Sequence, residues 1–288
     1  MMLRSRPPAI QVAKKNTEEY DAQDLYLASV QCPEADVAFF EKVFKKHADR
    51  PMRYLREDFC GTAALCAEWV KQHPENRAIG VDYHEPTLDW GRQRILPLLS
   101  EDERNRIELV CDDVRHIADT QADLLCAQNF SYWIFSEREE MKRYLEIAKE
   151  SIVEDGLLVL DLLGGTESTS VDTEERKVDD GTKVDGSKLP TFTYIWDQHS
   201  YNPITGDMQC YIHFKVKRKM IKKAFSYRWR MWTLPELRDI LFEIGFKDVT
   251  VYTEGWDDDS DESDGVFRKR KDFDHEGSFI AYIVAKKK

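Results

Sequence analysis

The hydrophobic positions change rhythm along the chain. From Pro33, apolar Val37, Phe40, Val43 and Phe44 recur at helical spacing, with the proline where a first-turn proline belongs. Residues 52–59 read as a strand and 62–73 as a helix stopped by Pro74. Residues 77–83 form a second short apolar strand, and 86–99 a helix whose regular part Pro97 limits. Residues 106–113 and 122–128 are two more strands. Met141, Tyr144, Leu145, Ala148 and Ile152 draw a helical stripe, with Gly156 at a C-cap position. The stretch LLVLDLL at 157–163 is a continuous apolar run, as a strand covered on both faces requires. Strand–helix alternation over 52–163 predicts an α/β fold built on a doubly wound parallel sheet.

After residue 163 the rhythm becomes two. Residues 164–190 are polar and Gly-rich, a loop or lid. Alternating apolar positions then follow: Phe192, Tyr194 and Trp196; Met208 to Val216; Phe225 to Met231. They predict a small antiparallel β insertion of about three strands, with turn chemistry at Asn202-Pro203 and Gly206-Asp207. The basic residues from Lys215 to Lys223 fall at a hairpin tip. Thr233 to Glu236 is a capping box opening a helix that ends near Gly245. Residues 247–253 and 278–285 are two final strands, separated by a charged, solvated loop at 257–272. The expected organisation is an N-terminal tail and lid at 1–32, a core at 33–165, an insertion at 166–232, and a C-terminal helix and strands at 233–288 that complete the core sheet.

Charge and composition narrow the function classes. The net charge of -12 opposes binding to nucleic acid, which needs a basic field. No run of about 18 apolar residues occurs, so no membrane helix is expected. Arg4, Arg6, Lys14 and Lys15 make a basic N-terminal stretch without the apolar core of a signal peptide. The six cysteines form no C-x-x-C pair and no metal-ligand rhythm. Buried thiols in a reducing cytoplasm are expected, and no metal site.

Four features fall at successive strand ends. In LREDFCGTAALCAEW (55–69), Gly61 follows a strand and precedes a helix start, where free N–H groups and a positive dipole end gather. Asp82 ends the second strand, 21 residues after Gly61, where an acid accepts from ribose hydroxyls. Asp112 and Asp113 end the third strand; an acid there accepts from an adenine amino group while the N–H of Val114 reads the ring nitrogen. AQNFSYW (127–133) follows the fourth strand, where the reacting group would lie. Each feature alone also fits a turn, a helix cap or a surface charge. Together they share the edge of the sheet where open α/β folds bind ligands.

EDFCGTA resembles the acidic, Gly-rich first motif of the class I S-adenosylmethionine-dependent methyltransferases, D-x-G-C-G-T-G. IGVDYHEPTLDWGRQR is similar to the second motif, ELVCDDVRHI to the third, and VEDGLLVLDLL to the segment leading into the fifth strand. The resemblance covers roughly residues 50–165 and, more loosely, the C-terminal elements. It implies a Rossmann-like sheet, mostly parallel with an antiparallel last strand, and S-adenosyl-L-methionine as cofactor. By this resemblance Glu57 and Gly61 shape the methionine side, Asp82 holds the ribose and Asp113 the adenine; Phe59, Tyr83, Asp112, Val114 and Asn129 complete the expected cofactor set. The family's first and third glycines are Phe59 and Ala63 here, so we expect a loop that runs differently or holds the cofactor less closely. Arg56 either pairs with the cofactor carboxylate or bridges to Glu57 or Asp58. A nicotinamide dehydrogenase is the rival on fold, but a pyrophosphate needs the missing glycines.

Methyl transfer from a sulfonium is an in-line displacement that demands alignment and exclusion of water. An aromatic cap over residues 191–232 would serve both and favours a small polar acceptor: an amine, a sugar or a carboxylate. His199 is the candidate general base, unless it merely packs the insertion. Asn129 and Tyr132 are candidates to orient the acceptor, and Tyr26 is a lid candidate over the cofactor. A homodimer is compatible with these expectations. The alternatives are a protein or RNA methyltransferase, and a non-catalytic cofactor-binding partner subunit.

Overall fold

The computed structural model describes residues 20–257, 262–274 and 276–288. The basic stretch from Arg4 to Lys15 lies outside them. The chain divides into two units, each described by itself. The larger comprises 33–132, 137–168 and 232–288; the smaller comprises the segment up to Cys32, 133–136 and 169–231.

Helix α1 (Ala22–Val30) belongs to the smaller unit and α2 (Pro33–His47) to the larger. Acids in the first turn of α2 and bases in its last turn complement its dipole, while Val37, Phe40, Val43 and Phe44 are its buried stripe. Then come β1 (Tyr54–Asp58), α3 (Ala64–Gln72), β2 (Arg77–Asp82), α4 (Glu85–Arg94), α5 (Glu101–Arg104), β3 (Ile107–Cys111), β4 (Ala122–Ala127), α6 (Arg138–Glu150) and β5 (Ile152–Gly164). Pro97 lies in a one-turn 3-10 segment after α4, so the regular helix stops earlier than residue 99. The five strands pair in parallel in the order β3-β2-β1-β4-β5. Strand order therefore reverses beside β1, the place where such sheets open a crevice at their carboxyl ends.

Gly156 is not the cap of α6. Ser151 is, with its N–H on the carbonyl of Ile147. Gly156 lies inside β5, at an irregularity opposite β4, where a Cβ would press on the carbonyl of Val153 at 2.9 Å.

The smaller unit holds β6 (Thr173–Val178), β7 (Phe192–Tyr201), β8 (Asp207–Val216) and β9 (Lys219–Arg230), an antiparallel sheet in that order. It has four strands where three were expected; β6 lies in the stretch read as loop. The registers Tyr194↔Phe214, Trp196↔Ile212 and Gln198↔Cys210 put these residues on one face, with Phe225, Tyr227 and Trp229 of β9. Helix α1 lies on that face: the rings of Tyr26 and Phe225 are 4.7 Å apart, and Tyr227 hydrogen-bonds Tyr26. Asp21 caps α1 through the N–H of Gln23. Residues 22–30, expected as tail, are thus an ordered helix of this unit.

Helix α7 (Leu234–Glu243) returns to the larger unit, opened by the expected capping box of Thr233 and Glu236. Strands β10 (Asp248–Asp257), β11 (Glu262–Arg270) and β12 (Phe279–Lys286) extend the large sheet to eight strands, ordered β11-β10-β12-β5 from its edge. All three pairings are antiparallel. Strand β11 replaces the loop expected there. Among the described residues, no helix is long and apolar enough to cross a membrane.

Candidate active site

The carboxyl ends of β1 to β5 are level. Register pairs Asp58 with Val81 and Ala127, Asp82 with Cys111, and Ala127 with Leu160. This edge carries most of the expected site residues.

The turn after β1 is left-handed at alternate residues: Phe59, Gly61 and Ala63 have φ of 59°, 54° and 61°. All three positions of the family's glycines thus take left-handed backbone in this chain. The conformation that glycines favour is present, with Phe59 and Ala63 holding it at about 1 kcal/mol of strain each. Three contacts over-determine it: the N–H of Cys60 donates to Val81 O at 3.1 Å, the N–H of Ala63 to Cys60 O at 2.8 Å, and the N–H of Gly61 to Asp82 Oδ2 at 2.9 Å. Gly91 of α4 completes the seat, because any Cβ there would collide with the carbonyl of Thr62. Phe59 rests edge-on against Tyr144, with ring centroids 5.8 Å apart.

Asp82 is buried, and its Oδ1 accepts the N–H of His84 at 2.8 Å. Burial raises its pKa, against those two amides. Each oxygen accepts one N–H and retains capacity for a hydroxyl donor. Tyr83 follows, half-buried, its carbonyl 3.6 Å from the thiol of Cys111. Asp113 caps the one-turn segment Val114–His116 and pairs with Arg115 at 2.7 Å. Burial pulls the Asp113 pKa up, but the Arg115 hydrogen bonds outweigh it and leave it below the usual range. Asp112 is more exposed and accepts from His116 Nδ1 at 2.8 Å.

Of the two readings of Arg56, the structure shows the bridge to Asp58 and not the cofactor contact. The Arg56 side chain has no exposed surface, and neither has that of Asp58, its partner at 2.7 Å. The guanidinium also donates to Val114 O at 3.0 Å, Ile117 O at 2.5 Å and Ser151 Oγ at 2.8 Å. It braces the segment after β3, and with four of its five N–H donors used and no exposed surface it is not placed to meet a ligand carboxylate. Asp58 takes a further hydrogen bond from Tyr144 Oη at 3.1 Å.

Glu57 points to the other face of the sheet. Burial lifts its pKa to about 8, and the thiol of Cys66 donates to it at 3.1 Å. Asp161 of β5 and Asp36 of α2 are raised by burial too, to about 7 and about 6. Asp161 Oδ2 and Oδ1 accept the N–H groups of Asn129 and Phe130 at 2.6 and 2.9 Å. Those residues have φ of 56° and 55°, a tandem left-handed turn wrapped round a carboxylate. Tyr132 is fully buried and its hydroxyl donates to Asp161 O at 2.6 Å. It is a brace and does not orient an acceptor.

Sequence reasoning missed Asp161, whose only signal was an acid inside an apolar run, and Gln128. Gln128 directly follows β4; its Nε2 is buried without a hydrogen-bond partner among the described residues. A donor left so at the ligand edge suits a ligand acceptor atom.

In the smaller unit, His199 and Tyr26 do not meet. His199 sits at the β7 irregularity beside Tyr211, on the opposite face from α1, with 60% of its side chain exposed. Its Nδ1 is 3.8 Å from Asp197 Oδ1, too far for a hydrogen bond. His199 therefore lacks the enclosed, oriented setting of a general base. Asp197 instead meets His213 Nε2 at 3.2 Å, and His213 Nδ1 accepts the N–H of Lys223. The aromatic face of this unit is continuous: Tyr227 and Trp229 stack at 4.4 Å, with Trp196 and Trp133 each about 6 Å from Trp229.

No protein-family model matches the chain, and no curated protein does. Solved structures do. CalS10, an amino pentose methyltransferase from Micromonospora echinaspora solved with bound S-adenosylmethionine, superposes with a TM-score of 0.63 at 13% identity, over 96% of this chain and 100% of that one. The chain has the fold of the class I S-adenosylmethionine-dependent methyltransferases. DesVI of Streptomyces venezuelae gives a TM-score of 0.63 at 13% identity, over 93% of this chain and 99% of that one. The sugar N-methyltransferase KedS8 from a Streptoalloteichus species gives 0.60 at 13%, over 96% and 98%. All three span this chain almost end to end, the antiparallel unit included.

Proposed function

We propose that this protein is an S-adenosylmethionine-dependent methyltransferase acting on a small polar acceptor such as an amino sugar or another amine. The observation that carries it is the left-handed turn at Phe59, Gly61 and Ala63, fastened to Asp82 by the Gly61 amide. Phe59 and Ala63 hold left-handed backbone on either side of Gly61 although neither is glycine, and keeping that conformation suits a backbone that must approach a ligand. Asp82 accepts from the ribose, Asp112 or Asp113 from the adenine amino group, and the Val114 N–H reads the ring. Glu57 and Gly61 line the methionine side, with Phe59 and Tyr83 alongside; the raised pKa of Glu57 fits a site that receives a cation. The cofactor, when bound, supplies an already activated methyl group on sulfur.

The protein's own task is to align the acceptor and exclude water. Gln128 Nε2 and the Asn129 side chain lie after β4, on the strand beside β1, and are the groups proposed to orient the acceptor. An amine acceptor needs no strong base, in keeping with the setting of His199. An amino sugar also agrees with what CalS10 and KedS8 methylate by their descriptions. The net charge of -12 favours a small acceptor over RNA. Six free thiols fit a reducing, cytoplasmic setting.

Calorimetric titration with S-adenosylmethionine and S-adenosylhomocysteine tests the cofactor. We expect micromolar binding of both, weakened at least about tenfold in Asp82→Ala, the scale of one lost charge-assisted hydrogen bond. Absence of binding to the wild-type protein sinks the proposal.

A further inference from the structure

The opposite edge of the large sheet carries a feature that methyl transfer does not use. Strand β10 runs parallel to β5, because each is antiparallel to β12, so its first residues lie at the amino edge. There, between the start of α7 and the ends of β10 and β11, opens a cleft of about 440 Å³. Its wall carries four cations, Arg238, Lys269, Arg270 and Lys271, and one acid, Asp248. Asp248 Oδ1 accepts the Thr250 hydroxyl at 3.0 Å. None of the four cations forms an ion pair among the described residues. The Nε of Arg270 is buried without a hydrogen-bond partner among them. The first residues of α7, Leu234 and Pro235, also line the cleft, at a helix end already closed by the Thr233–Glu236 capping box.

We propose that this cleft binds a small soluble molecule through its phosphate groups. Four cations against one acid, in a chain of net charge -12, concentrate positive potential where the rest of the protein repels anions. A single carboxylate ligand would leave most of that charge unmatched, whereas a multivalent tetrahedral oxyanion accepts from arginine forks and lysine ammoniums together. The enclosed Arg270 Nε marks where one oxygen seats. The surrounding negative charge and the limited volume disfavour a long polyanion. The ligand would lie at the edge opposite the methyl-transfer site and occupy it independently.

The test is calorimetric titration of the full chain with pyrophosphate and with inorganic phosphate at constant ionic strength, against chloride. We expect saturable binding, tighter for pyrophosphate. The exposed double variant Arg238→Glu/Lys271→Glu should weaken it more than tenfold, and Arg270→Gln should weaken it as well. The double variant should keep its melting temperature and wild-type affinity for S-adenosylhomocysteine. That last readout separates this site from the cofactor proposal, since either ligand can bind or fail alone. Three results would overturn the idea: no saturable pyrophosphate binding, unchanged affinity in the double variant, or binding of heparin without binding of pyrophosphate.

Discussion

Ala63 and Ala67 are four residues apart and both fully or almost fully buried, yet replacing each by glycine should have opposite effects. Ala63 holds a left-handed φ, so Ala63→Gly removes strain and should raise stability by up to about 1 kcal/mol. Ala67 lies inside α3, so Ala67→Gly should lower it by about 1 kcal/mol. Thermal unfolding of the two variants reads the signs directly, and two shifts of the same sign would refute the strain at Ala63. Arg56 supports a sharper expectation. Arg56→Ala leaves Asp58 as an unmatched buried charge and should cost about 3–5 kcal/mol in urea unfolding. Pairing Arg56→Met with Asp58→Leu should recover most of that loss. A stable Arg56→Ala protein that merely bound cofactor poorly would restore the ligand-contacting role that the geometry takes away. These residues also mark where the sequence stops being legible: an Arg beside an acid looks the same whether it meets a ligand or a buried partner. Burial decides between them, and burial follows from α6 lying over β1, a long-range fact.

Elements with a clean period were legible, and those without were not. The parallel strands and the aromatic alternation of β7, β8 and β9 can be read from side-chain type alone, because apolar contacts select them. Strand β6 reads TEERKV and β11 is rich in charge, so neither shows a hydrophobic alternation. Both are edge strands, held by backbone pairing on one side, and charge on an edge resists further pairing. Of the site, the strand-end acids were legible through their spacing. The turn at 129–130 was not, because its organiser, Asp161, is 31 residues from Phe130. Helix α1 was hidden for a similar reason: its register depends on a distant aromatic face. That dependence is testable. Tyr26→Ala removes the ring contact with Phe225, an aromatic pair worth about 1 kcal/mol. Amide exchange over 22–30 should quicken while β7 to β9 keep their protection; unchanged exchange would mean that Tyr26 does not hold the helix.

At the scale of the molecule, carboxyls raised by desolvation shape the response to pH, among them the buried Glu57 and Asp161 and the half-buried Asp36. Glu57, Asp161 and Asp36 have folded pKa values of about 8, 7 and 6, above those of exposed carboxyls. Below about pH 4 both folded and unfolded chains hold these protons, and no penalty arises. As pH rises, the unfolded chain releases its protons first. The folded chain then holds more, so these groups make stability fall through the window up to about pH 8, above which the loss levels off. Glu57→Gln should flatten that fall between pH 5 and 8, measured by urea unfolding at each end. An equal fall in both proteins would show that Glu57 ionises freely. The composition of the smaller unit bears on a different matter, its synthesis. Tyr26 meets Phe225 across about 200 residues of chain. A ribosome adding about 5–20 residues per second needs roughly 10–40 s to cover that distance. Throughout that interval α1, with its fully buried Leu25, has been made and its docking face has not. The nascent chain thus carries an uncovered apolar segment near its front for most of translation, a standing demand on whatever chaperone attends the ribosome.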